Sequence, residues 1–312
     1  MKTAVSFGPT PTTLTERGNV VSLAEVRVKI SAYVSLTKPR IMVMVLVTVA
    51  AGFLLGGRAG ASDASLALTV IGTGLVAGGA SAWNQLLERS RDAVMRRTAN
   101  RPLPLGRVTP AEAAVFGAGI TVLGLVLLDL GSNATATVVA LATFALYVFV
   151  YTPLKPVTTL NTAVGAIPGA LPPVIGWAAA TGRIGIEAWA LFLIVFLWQF
   201  PHFLAIAWIH RDDYARGGHR MLPAIDPSGV MTARQAAGYA LALVPAGLLP
   251  AVIGLAGPYY FAGALALGLF YLVHSVRFWS NVSDSSARRL MRASFVYLPA
   301  VLLLLLSNSS RV

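Results

Sequence analysis

The sequence predicts an all-α fold, a polytopic membrane bundle of about nine transmembrane helices. Three observations predict it. The first is composition: of 312 residues, 56% are hydrophobic and only 12% charged, with a mean hydropathy of +0.72. That charge content is about half that of an ordinary soluble domain. It is too little for a water-facing surface, and the apolar content excludes a disordered chain. The second is a recurrence of apolar runs about as long as a helix needs to cross a hydrocarbon core. The third is a lopsided distribution of Lys and Arg between alternate loops. The absence of Cys also excludes a disulfide framework, a thiolate metal site and a Cys nucleophile.

Residues 1–35 are polar, with Glu16 and Glu25 among the basic residues, and hold no signal-type apolar core. They read as a disordered cytoplasmic tail ahead of an intramembrane domain over 36–308, with Val26 to Lys38 as a short helix lying on the membrane. The spans are expected at 40–58, 65–86, 111–130, 133–152, 160–180, 187–208, 235–255, 257–276 and 293–308. The second carries Gly74-x-x-x-Gly78 and the fifth Gly165-x-x-x-Gly169, spacings that suit close helix packing. Pro168, Pro172 and Pro173 should interrupt the fifth, and irregular backbone at membrane depth is tolerated where it lines a cavity. Tyr147, Tyr151, Trp177 and Trp198 are aromatic residues of the interface belt, of helix packing or of a channel wall.

With the N-terminus inside, only Arg58, Arg183 and Arg311 fall outside, and the other 21 of the 24 Lys and Arg lie on the inner side. A missed span would scramble this pattern, so the asymmetry supports both the count and the orientation, with the C-terminus outside. The formal charge of +12 then reflects topology. A nucleic-acid partner would need a soluble domain to carry the charge, and none is visible.

Acidic residues gather in two inner segments. The first continues the second span through Asn84, Glu88 and Asp92, which share one helical face over about 12 Å. The second follows the sixth span as His210-Arg211-Asp212-Asp213-Tyr214 and emerges at the same side. Oxygen ligands in a line, ringed by arginines, suit Mg²⁺ bridged to a phosphate-bearing substrate. The same spacing also suits helical ion pairs of Glu88 and Asp92 with Arg89, Arg91 or Arg96. Asn84 fits that second reading poorly, because an amide within the apolar run gains nothing from a surface ion-pair network.

Longer motifs are more specific. Asn84-Gln85-x-x-Glu88-Arg89-x-x-Asp92-x-x-Met95-x-Arg97-Thr98-x-x-Arg101-Pro102 resembles the signature of the UbiA superfamily of intramembrane prenyltransferases. Three further stretches agree: Tyr151-Thr152-Pro153-Leu154-Lys155 with Thr158 and Asn161, Trp198-Gln199-Phe200-Pro201-His202-Phe203, and Asp212-Asp213-Tyr214-Ala215-Arg216 ahead of Met221-Leu222-Pro223. The match spans about residues 35–305. Glu88-Arg89, Met95-x-Arg97-Thr98 and the Trp198 to Phe203 run look like the heme-farnesylating branch rather than branches with quinone-precursor or chlorin acceptors. A transporter would instead place intramembrane charges along a path.

The resemblance implies nine helices around a central cavity in the cell (inner) membrane, within the lipid bilayer, with the active site at the cytoplasmic face. It implies transfer of the farnesyl group of farnesyl diphosphate to a vinyl group of heme B, by Mg²⁺-assisted ionisation to an allylic cation. Asn84, Glu88, Asp92, Asp212 and Asp213 are the implied catalytic and metal-binding residues. Arg97, Arg101, Lys155, Tyr151, Asn161 and Tyr214 are the implied substrate contacts; for any single arginine, phospholipid-headgroup contact is the competing reading. Many relatives carry a DxxxD second motif, whereas here Gly217 stands four residues after Asp213, so the second patch is shorter. His202 within the sixth span needs a partner: heme iron, a propionate, or a carbonyl freed by Pro201. His210 and His219 read as solvated loop residues. Physical association with a downstream heme-modifying enzyme is a further partner that the resemblance leaves open.

Overall fold

The computed structural model describes residues 23–57 and 62–309. Among these, nine helices or helix pairs are long and apolar enough to cross a membrane. They comprise α2 (Pro39–Gly56), α3 (Asp63–Val94), α4 (Pro110–Gly131), and a fourth span of α5 (Ala134–Ala145), a π-helical segment (Leu146–Tyr151) and α6 (Thr152–Leu154). The fifth is α7 (Asn161–Ala170) with α8 (Pro172–Thr181), followed by α9 (Ile186–Ile209). Short helices α10 (Arg211–Arg216) and α11 (Leu222–Ile225) lead to α12 (Val230–Val252), α13 (Pro258–Ser280) and α14 (Asp284–Ser307). Large apolar side chains such as Val115, Leu130 and Val252 stay exposed on the outside of the bundle, as a hydrocarbon surround requires.

Local chemistry sets most boundaries. Pro39, Pro110, Pro172 and Pro258 occupy first-turn positions, where a missing N–H costs nothing. Thr109 and Glu112 close a capping box on α4. The last span begins at Asp284, nine residues before the expected 293, because Ser283 and Ser286 cap the first turn of an amphipathic extension that carries Arg288, Arg289 and Arg292. Residues 1–22 of the expected tail lie outside the described residues. The short helix expected over Val26 to Lys38 is present as α1, Leu23–Leu36, which begins three residues earlier, so the expectation of disorder is corrected over 23–25. Ala32 and Leu36 pack with Leu86, Leu103 and Val108, Gln85 Nε2 donates to the Leu36 carbonyl, and Lys29 pairs with Glu112.

Helices meet through small residues. On α2, Gly52 lies against the Pro173 carbonyl, and on α8, Gly176 lies against the Val49 carbonyl; a Cβ at either position would collide with backbone. Gly72 on α3 and Gly124 on α4 make the same exchange. The fifth span breaks at Leu171, between α7 and α8, where the prolines predicted an interruption. Around these contacts α2, α3, the fourth and fifth spans, α9 and α14 enclose a cavity of about 340 Å³.

Candidate active site

Asn84, Glu88 and Asp92 project from one face of α3 and are 1%, 5% and 0% exposed. Oxygen-bearing side chains so buried require partners, and each has one from outside α3, two of them from distant segments and one from the loop that follows. Lys38 Nζ donates to Asn84 Oδ1 at 2.9 Å, Lys155 Nζ meets Glu88 Oε1 at 2.7 Å, and Arg101 Nη1 meets Asp92 Oδ2 at 2.6 Å. The expected local pairs of Glu88 and Asp92 with Arg89, Arg91 or Arg96 are not among the ion pairs of the described residues. Asn84 Nδ2 donates to Thr152 Oγ1, which itself donates to the Tyr147 carbonyl, so the orientation of the amide is fixed.

The cations come from shaped backbone. Lys38 sits at φ 52°, left-handed for a non-glycine residue, and this turn into α2 aims its ammonium at the end of the cavity. Burial, joined by the charges of Arg101 and Lys155, pulls its pKa down to about 7 against the opposing pull of Glu88 and Asp92. Burial also works against the charge of Lys155, but Glu88 and the neighbouring Tyr147 outweigh it and hold its pKa above the usual lysine value. Lys155 Nζ also lies 4.6 Å from the centre of the Tyr151 ring. Tyr147 and Tyr151 face the cavity from the π-helical segment, with ring centres 5.3 Å apart.

The second motif is built differently from the expectation. Asp213 accepts from the backbone N–H groups of Arg96 and Arg97 at 3.1 and 3.3 Å and pairs with Arg216. Its burial opposes ionisation, but Arg216 and the two amides prevail and hold its carboxyl below the usual carboxylate range. Asp212 is exposed. The two therefore share no pocket, and a second ion there requires Arg216 to give up its carboxylate. Arg97 Nη2 donates to Tyr214 Oη at 3.3 Å, which joins the two motifs side to side. Asn161, expected as a substrate contact, spends its Nδ2 on the carbonyls of Thr158, Arg220 and Lys155. It locks the backbone that carries Lys155.

Two residues were misread or missed in the sequence. Lys38 went unassigned because its partner Asn84 is 46 residues away. His219 was read as solvated, yet it is 4% exposed, and its Nδ1 has no partner among the described residues. Burial pulls its pKa down, with Glu88 and Asp92 pulling the other way. Gly218 at φ +66° is the turn that folds it inward, and Gly217-Gly218 was the available signal.

The donor set fits a hard divalent ion. Asp92 Oδ1 is buried and has no hydrogen-bond partner among the described residues, beside an amide oxygen and a second carboxylate on the same face. Among the described residues no third His, Cys, Asp or Glu completes a metal-holding group with the two carboxylates, so an ion there would need further oxygens such as those of a phosphate.

The chain was compared with known proteins. The profile of the UbiA prenyltransferase family matches residues 45–298. Relatives named protoheme IX farnesyltransferase include one from Solibacter usitatus, 45% identical over 278 residues (86% of this chain, 95% of that protein). Another, from Salinibacter ruber, is 44% identical over 274 residues (88% and 97%). Among solved structures, a digeranylgeranylglyceryl phosphate synthase superposes with a TM-score of 0.75 at 17% identity, covering 90% of this chain and 98% of that one. A UbiA homolog from Archaeoglobus fulgidus bound to GPP and Mg²⁺ superposes with a TM-score of 0.66 at 16% identity, covering 88% and 99%.

Proposed function

Because the chain belongs to the UbiA prenyltransferase family, we propose that it transfers the farnesyl group of farnesyl diphosphate to a vinyl group of heme B, giving heme O and diphosphate. The observation that carries the chemistry is the row of Asn84, Glu88 and Asp92, each met by a cation, at the Lys38 end of an apolar cavity. The farnesyl donor and heme acceptor follow from the names of the relatives.

Mg²⁺, when held by Asn84, Glu88 and Asp92, supplies Lewis-acid charge neutralisation to the departing diphosphate. Lys38, Lys155 and Arg101, which pair with those same residues, turn to the diphosphate oxygens as it binds. Arg97 from the first motif and Tyr214 from the second close over it together, and Asp213 holds the backbone of Arg96 and Arg97 in place. The farnesyl chain lies in the cavity with its first carbon near Tyr147 and Tyr151, whose ring faces accommodate an allylic cation. The apolar walls keep water away until the vinyl group has attacked; one water then adds to the resulting carbocation and loses a proton, which supplies the hydroxyl of the product. The Lys and Arg asymmetry supports a cytoplasmic N-terminus, an outer C-terminus and an active site facing the cytoplasm of the cell (inner) membrane.

Alanine at Asp92 or at Asp213 tests the site. In membranes holding equal amounts of inserted protein, Asp92→Ala is expected to lower heme O formation about a hundredfold or more. Asp213→Ala acts through the loop it anchors and is expected to raise KM for farnesyl diphosphate along with lowering kcat. Near-normal turnover of either variant removes that residue from the site.

A further inference from the structure

His202 and Ser294 form a buried pair on the cavity wall, seven residues, or about 10 Å of helix, inside the site end of α9. Ser294 on α14 is fully buried and receives two rings of α9 at once. Trp198 Nε1 donates to its carbonyl at 3.0 Å, and His202 Nδ1 meets its Oγ at 2.7 Å. The expectation that His202 serves a carbonyl freed by Pro201 is replaced by this bond. A hydroxyl has one proton to give, and Ser294 Oγ gives its proton to the Met291 carbonyl at 2.6 Å. The bond to His202 is therefore one in which Nδ1–H donates. That fixes the tautomer and leaves Nε2 with its lone pair.

The surroundings of that lone pair are apolar and aromatic. The imidazole stacks on Trp198 with centres 5.1 Å apart, meets Phe295 edge-on at 5.2 Å and lies 5.5 Å from Phe203. Nε2 has no hydrogen-bond partner among the described residues, and His202 lines the cavity. Phe203 and Phe295 are exposed, so this collar stands where the cavity wall of α9 and α14 meets the lipid side.

We propose that His202 is the axial ligand that holds the acceptor heme by its iron, oriented by Ser294; the inference rests on the heme acceptor proposed above. A neutral imidazole whose other nitrogen donates to a fixed acceptor is the form in which histidine binds metals, and the acceptor raises its basicity. The bond forms from the Nε2 lone pair to iron, and no proton is released. A propionate fits less well, because a carboxylate only accepts, and Nε2 carries no proton in this tautomer. The macrocycle stands perpendicular to the imidazole that holds it, so Phe295, inclined 72° to that ring, offers it an apolar face, while Trp198 braces the imidazole from its own side. The vinyl groups sit on its rim, so holding the iron fixes how far that rim stands from Tyr147 and Tyr151.

The test is heme binding by the purified full chain, without farnesyl diphosphate. Ferrous heme B on the wild-type protein should show an iron–histidine stretch in the resonance Raman spectrum. His202→Ala should lose that band and bind heme about tenfold or more weakly, and added imidazole should restore the histidine-type spectrum. Ser294→Ala should keep the ligand but shift the stretch to lower frequency. His202→Gln, closer in size, covers misfolding of the alanine variant and should lose the band equally. A wild-type protein without the band, or either His202 variant with wild-type spectrum and affinity, overturns the assignment. A parallel farnesylation assay separates the two readings. Heme O formed without histidine ligation rejects the ligand and leaves the reaction standing. Ligation through His202 with no farnesylated product rejects the reaction and leaves the ligand standing.

Discussion

Glu88 and Lys155 are a buried pair with side chains 6% and 13% exposed, and such a pair behaves differently from a surface salt bridge. Removing one partner strands the other charge at a cost of about 3–5 kcal/mol, whereas removing both together can be nearly neutral. Lys155→Met should therefore destabilise the purified protein by about 3 kcal/mol, and Lys155→Met with Glu88→Gln should recover most of that loss. Activity should recover in neither. Thermal unfolding of the two single variants and the double variant in detergent gives the coupling; additive losses would show that the pair does not act as a unit. The same residues show what was legible beforehand. Asn84, Glu88 and Asp92 could be read because a spacing of four defines a helix face locally. Their partners could not, because Lys38 and Lys155 reach them only through the packing of other segments and Arg101 only through the fold of the loop after α3. His219 was misread for the same reason: a left-handed turn at Gly218 decides which way it points.

Among the spans, the irregular ones line the cavity. The π-helical Leu146–Tyr151 presents two tyrosines, the break at Leu171 separates α7 from α8, and Gln199 on α9 lies against Gly169 of α7. All nine spans begin or end within a few residues of the apolar runs, because a run of that length has one stable conformation in lipid. The π segment was not legible. Its nearest signal is Pro153, which cannot donate to the carbonyl four residues earlier. Between α11 and α12, Asp226 accepts from Thr232 N–H at 2.8 Å and from the Thr232 and Ser228 hydroxyls, acting as a cap for α12. Partial burial opposes its charge, but these donors outweigh it and depress its pKa. A depressed carboxyl contributes stability above its unfolded pKa of about 3.9 and loses it as pH falls through the lower folded value. Asp226→Ala should cost about 1 kcal/mol at neutral pH. The gap in melting temperature between wild type and variant should narrow on acidification toward pH ~3. A gap that widens at low pH would contradict the cap.

At the scale of the whole molecule, both acidic segments sit at one end of the bundle, joined by the Asp213 bonds to Arg96 and Arg97. The native chain has no Cys, so single cysteines report topology without background. In intact cells, Arg183→Cys should be labelled by an impermeant maleimide and Ser285→Cys protected, with the pattern reversed in inverted vesicles. Equal labelling of both from outside would contradict the orientation and the cytoplasmic site. The reaction itself is tested most directly by incubating detergent-purified protein with heme B, farnesyl diphosphate and Mg²⁺, then resolving the extracted hemes by chromatography with mass detection. The expected result is a farnesyl-hydroxyethyl heme that disappears when EDTA is added. Unmodified heme from protein that still binds farnesyl diphosphate in the presence of Mg²⁺ would contradict the acceptor, and loss of both activities from well-folded protein would contradict the prenyl transfer.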